Sequence, residues 1–368
     1  MDDQDSPEPA SIEKDWGFWG NDEVVIRSGG LVDPGHLDEF HRMSCGWVRH
    51  FYLNAAAAIA REDFGDQIDN LSLFFIDSDE RNALALERPD TKGVGIHLGL
   101  IRSIWSLLYR GIGGGHLIEV WFDDLAPIQG PVDETMALSD PIWRENEAEG
   151  WSADRLQAHH DLFMRAIDFI VYHELAHHVR GHISYLKSEF GMSEIDEALN
   201  FSSEPENKRD ALRNLEYDAD HSALDMMMMS LDRDIEFSTW TETQASREFF
   251  LLSLAIIILF QILDEAHSPM SSHYTLSHPA PVHRAMRLTS ALSFTFARQF
   301  GWSDETREEE HDLAWVAASD VAALLKMPEG RWHGAGSEDM DHDQFVKEEA
   351  AFIEFAKVLN ALNEAEDS

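Results

Sequence analysis

Residues 171–182 read VYHELAHHVRGH and hold four of the chain's 19 histidines. They close a longer stretch, SADRLQAHHDLFMRAIDFIVYHELAHHVRGH, whose apolar residues recur at helical spacing after a serine start, with Gly181 marking the end. The residues around the histidines, FIVY before and LA within, are apolar. That pattern predicts a helix buried in the fold that delivers its polar residues to a cleft. The fold is thereby restricted to one that wraps other elements around a helix carrying polar groups inside.

His173 and His177 lie four residues apart, about one helical turn, so both imidazoles fall on one face and can reach a single ion. Glu174 sits beside that face. The pattern HExxH thus offers two zinc ligands and a carboxylate able to take a proton from a water on the metal. A catalytic zinc keeps one position open and needs a third protein ligand. The metzincin spacing would want glycine at 180 and histidine at 183, but those residues are Arg180 and Ile183, and His182 is one residue out of register. LEYDAD, residues 215–220, offers a carboxylate from a second helix instead. Glu216 would bind the metal, and Asp220, one turn later on the same face, would accept the free ring N–H of a ligand histidine.

The rest of the chain reads as α+β, mostly helical with a small sheet beside the HExxH helix. Strand-like runs occur at EVVIRSG (23–29), LSLFFID (71–77), NALALER (82–88) and GVGIHLG (93–99), separated by turn-formers. LNAAAAIAREDF (53–64) and RSIWSLLYR (102–110) read as helices packed near that sheet. Between about 111 and 155, Gly, Pro and acidic residues interleave with Trp143 and Trp151, which suggests a long insertion or lid. Residues 204–232 are again helical, and their run of four methionines, Met226 to Met229, is core filler. SSHYTLSHPAPVHRAMRLTSALSF announces a further helix, with Ser277 as its N-cap and Pro279 close behind. Residues 1–20 read as a disordered acidic tail, 21–330 as the folded domain, and 331–368 as an acidic loop followed by an amphipathic helix around 343–363.

Composition narrows the partners. Lys and Arg number 28 against 69 Asp and Glu, a net charge of −41, and such a field repels nucleic acid and anionic membranes. The strongly apolar run FFLLSLAIIILFQIL, Phe249 to Leu263, falls short of the roughly 20 residues of a membrane span and is closed by Asp264 and Glu265. A buried core helix is expected there, with no stable membrane span. Cys45 is the single cysteine, so no internal disulfide forms and a reducing compartment fits. The acidic start lacks the basic and apolar regions of a signal peptide, and arginine outweighs lysine as in a GC-rich bacterial genome. A bacterial cytoplasmic protein is the expectation.

HELAHHVRGH, LEYDAD and SHPAPVHRAMRL, in this order, resemble the gluzincin metallopeptidases, specifically the family of the CAAX prenyl peptidases and HtpX-like heat-shock peptidases. NALALER followed by GVGIHLGLI is similar to that family's strand pair. The resemblance runs from about Asn82 to Leu288 and is strongest at the zinc site. It implies a zincin-like fold and a zinc-dependent endopeptidase acting on protein or peptide substrates, with one Zn2+ per chain held by His173, His177 and Glu216. It further implies Glu174 as general base and Asp220 as the aspartate behind a ligand histidine. His182 matches a histidine often seen at that spacing, and His278 and Arg284 match a His-Pro segment and a downstream arginine near the cleft. The chain departs from this family in lacking its membrane spans and in carrying the 111–155 insertion. It also bears a looser similarity to the Lit-type phage-exclusion peptidases, which are soluble bacterial HExxH proteins.

In the reaction so implied, Glu174 would pass its proton to the leaving amine, and His278, Tyr274 or Arg284 would help the metal hold the developing oxyanion. An edge strand near 83–87 could pair with an extended substrate backbone. The 111–155 segment would form a lid over the zinc until a regulatory partner or substrate displaces it. Two rival classes are a zinc-binding interaction protein whose site His178 or His182 closes, and a hydrolase of a small amide. His178, however, would point about 100° away from His177 on a helix.

Overall fold

The computed structural model describes residues 18–33, 35–37, 39–52, 71–113, 151–196, 205–234, 237–266, 281–324 and 357. Its elements run α1 (Glu23–Arg27), α2 (Glu39–Phe51), β1 (Leu71–Ile76), β2 (Ala83–Arg88), β3 (Thr91–His97), α3 (Leu98–Gly113), α4 (Ala153–Val179), α5 (His182–Phe190), β4 (Glu194–Asp196), α6 (Glu206–Asp234), α7 (Glu242–Ala266), α8 (Pro281–Phe300) and α9 (Asp304–Leu324). The protein is therefore mostly helical with one small mixed sheet, of the α+β class.

The sheet has the order β1-β3-β2-β4. β1 runs parallel to β3, while β2 is antiparallel to both β3 and β4. Pro89 and Asp90 form the tight turn between β2 and β3, where Arg88 faces Thr91. Gly93 in β3 is required by a close approach: a Cβ there would lie 2.6 Å from the Trp19 ring and 2.8 Å from the Phe74 ring. Those two rings stack with centroids 5.1 Å apart, closing the sheet face remote from α4.

The buried helix is α4, 27 residues long, which packs against β2 and β3, α3, α6 and α7. Its N-terminus forms as expected, with the Ser152 side chain accepting from the backbone N–H of Arg155. Met226, Met227 and Met228 of α6 lie in the main core, but Met229, expected to join them, is exposed, because the fourth residue of the run falls on the outer face of the helix. The helix α7 covers the apolar run and extends beyond it to 25 residues. By length and composition alone it could cross a membrane, but 89% of its apolar window is buried. It packs against α4, α8 and α9 and serves as a core helix.

Two expectations are corrected. EVVIRSG forms no strand: Glu23–Arg27 is a helical turn, because the Asp22 carboxylate caps it, accepting from Val24 N at 2.9 Å and Val25 N at 3.4 Å. The same carboxylate pairs with Arg88 at 2.7 Å, tying α1 to the end of β2. β2 is also not a free edge, since β4 pairs with it from Leu84 to Leu86. An extended substrate therefore finds those backbone groups already engaged.

The helix announced around Ser277 is described from Pro281 onward, at α8. Ser277 and Pro279, the helix expected at 53–64, positions 114–150 of the insertion, residues 1–17 of the tail and the C-terminal helix at 343–363 lie outside the described residues, Lys357 excepted.

Candidate metal centre

The last two turns of α4 carry the HExxH residues, and the chain turns immediately after them. Arg180 ends the helix, its N–H bonding Ala176 O at 2.9 Å, and Gly181 follows in the left-handed region at φ 70°. That conformation suits glycine and costs other residues steric energy. It turns the chain so that α5 begins with His182 folded back against His177. Across from α4 lies α6, where Glu216 and Asp220 share a face one turn apart.

Three donor residues converge between these helices. His173 Nε2 and His177 Nε2 are 3.1 Å apart, Glu216 Oε2 is 3.3 Å from His173 Nε2, and Glu216 Oε1 is 3.7 Å from His177 Nε2. All three residues are buried, and their ligand atoms lie within 4.8 Å of one another, so the group could hold a metal ion. Zinc binds such donors at about 2.0–2.2 Å, which in a tetrahedron separates neighbouring ligands by roughly 3.3–3.6 Å. The observed spacings bracket that range. Two imidazoles with one carboxylate form a donor set known from catalytic zinc sites that keep a fourth position open.

Behind His173 stands Asp220, whose Oδ1 is 3.0 Å from the ring Nδ1. Arg284 grips Asp220 with two bonds, Nε to Oδ2 at 2.8 Å and Nη2 to Oδ1 at 2.7 Å. The same Nη2 is 3.3 Å from Glu216 Oε2, and the guanidinium lies over the Phe260 ring at 4.6 Å. Burial pushes the Asp220 carboxyl up, but the charge and hydrogen bonds of Arg284, with the His173 ring, outweigh it and hold its pKa below the usual range. An ionised Asp220 accepts only, so it keeps the proton on His173 Nδ1 and leaves Nε2 a lone pair facing Glu216.

His178 takes no part in this cluster. Its Nε2 donates to Gly93 O at 3.0 Å, tying α4 to the sheet, and burial drives its pKa down to about 3. His182 lies on the other side of His177: the two Nδ1 atoms are 2.9 Å apart, and His182 Nε2 is 2.9 Å from Asp218 Oδ2. Asp218 also accepts from Arg180 Nε at 2.8 Å and Nη2 at 3.2 Å. Burial lowers the pKa of His182 more than Asp218 raises it, so its ring is neutral at pH 7. Asp218 is held far below the carboxylate range, because His182 and Arg180 overcome the opposing effect of burial.

Glu174 is buried and, with His173, Arg284, Ala83, Phe260 and neighbouring apolar residues, lines a cavity of about 20 Å3. That is room for one water molecule. The structure places His173, His177 and Glu216 together, with Glu174, Asp220 and Arg284 beside them. Arg284, which only the family resemblance had pointed to, meets Asp220 and Glu216, while His278 and Tyr274 lie outside the described residues. Sequence reading missed Asp218 and Arg180. Asp218 is two residues from Glu216, about 200° round the helix, so no argument from a shared face could have linked it to the same centre.

The model of the peptidase U49 family matches residues 136–300, a span that contains α4, α6 and Arg284. No curated protein and no solved structure matches the chain. The family match supports a peptidase, and of the two resemblances in the sequence it favours the Lit-type one.

Proposed function

We propose that the protein is a zinc-dependent endopeptidase, with one ion held by His173, His177 and Glu216 and with Glu174 as general base. The observation that carries this reading is the convergence of those three buried donors beside a cavity that Glu174 lines. Bound there, zinc would supply the Lewis-acid charge that acidifies a water and polarises a peptide carbonyl. Glu174, lining the cavity beside these donors, would take a proton from the attacking water and hand it to the amide nitrogen as the C–N bond breaks. Asp220, kept ionised by Arg284, orients His173. Arg284 itself is committed to Asp220 and Glu216, which supports a role in holding those carboxylates rather than in donating to the oxyanion. His278 and Tyr274 remain the candidates for that donor. A zincin-like fold and a bacterial cytoplasmic setting with protein or peptide substrates belong to the same proposal; the CAAX and HtpX-like resemblance stands in it only beside the Lit-type one that the family match favours.

The test is cleavage of casein and of a peptide library by the purified full chain, with metal content measured alongside. We expect one zinc per chain and cleavage that a chelator abolishes. Glu174→Gln should retain the zinc and lose at least about a hundredfold in rate. Cleavage without metal, or a Glu174→Gln enzyme within tenfold of the parent, overturns the assignment.

A further inference from the structure

We infer that His182 and Asp218 are positioning residues for His177, acting through a hydrogen-bond chain that starts at Arg180 and fixes which nitrogen of His177 is free to bind a metal. The inference rests on the metal-centre reading above and adds to it two residues that touch neither metal nor substrate.

The direction of every bond in the chain follows from its ends. Arg180 can only donate and gives a bond to each Asp218 oxygen, at 2.8 and 3.2 Å, so toward His182 Asp218 accepts as well. His182 Nε2, 2.9 Å from Asp218 Oδ2, must therefore carry the proton. Arg180 already balances the charge of Asp218, so no second anion holds His182 as an imidazolium; with its one proton on Nε2, His182 has Nδ1 bare and accepting. Its neighbour at 2.9 Å, His177 Nδ1, must then donate. His177 is thereby left with a lone pair on Nε2, the atom 3.1 Å from His173 Nε2.

Both metal-facing imidazoles are thus fixed in the same tautomer by different devices. His173 is oriented by a carboxylate directly, whereas His177 is oriented by a carboxylate acting through a second imidazole. Neither ring has slack: His177 and His182 are fully buried. The placement depends on Gly181, whose left-handed turn swings His182 back onto the ring of a residue five positions earlier.

The test uses full-length protein with ¹⁵N-labelled histidine, the variants His182→Leu, His182→Asn and Asp218→Ala, and zinc as the probe. Two-bond imidazole correlation spectra of the parent should show His177 with its proton on Nδ1. Zinc affinity, measured by competition with a chromogenic chelator, should fall about 10–100-fold in His182→Leu and Asp218→Ala. His182→Asn places an amide oxygen near the position of Nδ1 and should recover affinity to within about threefold of the parent. A residue that serves packing alone would lower the melting temperature without moving the affinity of the folded fraction. The inference is overturned if His177 carries its proton on Nε2 in the parent, or if folded His182→Leu and Asp218→Ala bind zinc as the parent does. Should Leu at 182 or Ala at 218 prevent folding, the parent spectrum and the Asn variant decide alone. Absence of zinc binding by the parent would instead overturn the metal-centre reading.

Discussion

Replacing Arg284 with Met tests how the centre is held together. Arg284 is almost fully buried, grips Asp220 twice and stands 3.3 Å from Glu216, so its removal leaves two buried carboxylates without their cation. Methionine has similar reach and can still lie over Phe260, which keeps the loss of packing small. Breaking a buried pair by deleting one partner costs about 3–5 kcal/mol. With an unfolding entropy of about 2.1 cal/mol/K per residue, the 368 residues give roughly 0.8 kcal/mol per kelvin, so the melting temperature should drop by about 4–6 °C. Calorimetry in the presence of a chelator measures this directly. Adding Asp220→Asn removes one uncompensated charge, so the double variant should be more stable than the sum of the two single changes by at least about 1 kcal/mol. With zinc present the deficit should narrow, since the ion supplies positive charge beside Glu216. A drop below about 1 °C in chelator, or strict additivity of the two changes, would refute the idea that Arg284 neutralises this pair of carboxylates.

Glu216→Gln should weaken zinc binding by at least about tenfold while the fold persists, because a carboxylate donor becomes a neutral amide; unchanged metal content would move the third ligand elsewhere. Among the described residues, neither ring nitrogen of buried His97 has a hydrogen-bond partner, and the nearest carboxylate oxygen, on Glu80, is 3.8 Å away. Burial lowers the His97 pKa from 6.5 to about 4, so between those values the unfolded chain binds the extra proton and stability falls as pH falls. His97→Leu should therefore gain about 2 kcal/mol on the parent between pH 7.5 and pH 5.0, read from melting temperatures at both; a pH-independent difference would refute it. Gly93→Ala drives a methyl into the Trp19 and Phe74 rings and should cost about 1–3 kcal/mol, whereas a melting temperature within 1 °C of the parent would show that the rings yield freely.

What could be read along the chain is what local geometry dictates. The four-residue spacing of His173 and His177, the same spacing of Glu216 and Asp220, and the Ser152 and Gly181 boundaries all follow from the pitch and end chemistry of a single helix. Strands at 71–76, 83–88 and 91–97 were legible for the same reason, through their alternating or apolar runs. The span 23–29 misled because Val and Ile favour a strand, yet the Asp22 cap and its ion pair with Arg88 stabilise a helical turn instead. β2 looked like an edge because nothing local announces that three residues past α5 will cover it.

Sequence alone therefore determined that two helices each present a pair of metal-competent side chains on one face. Tertiary structure decided that the two faces meet, with the donors of His173, His177 and Glu216 inside one 4.8 Å group. It also decided that Arg284 closes on Asp220 from α8, and that His182 and Asp218 back His177 from the opposite flank. The reason is physical: spacing within a helix is set by its repeat, whereas contacts between residues 36 or 64 positions apart depend on how buried surfaces pack and how buried charges find partners.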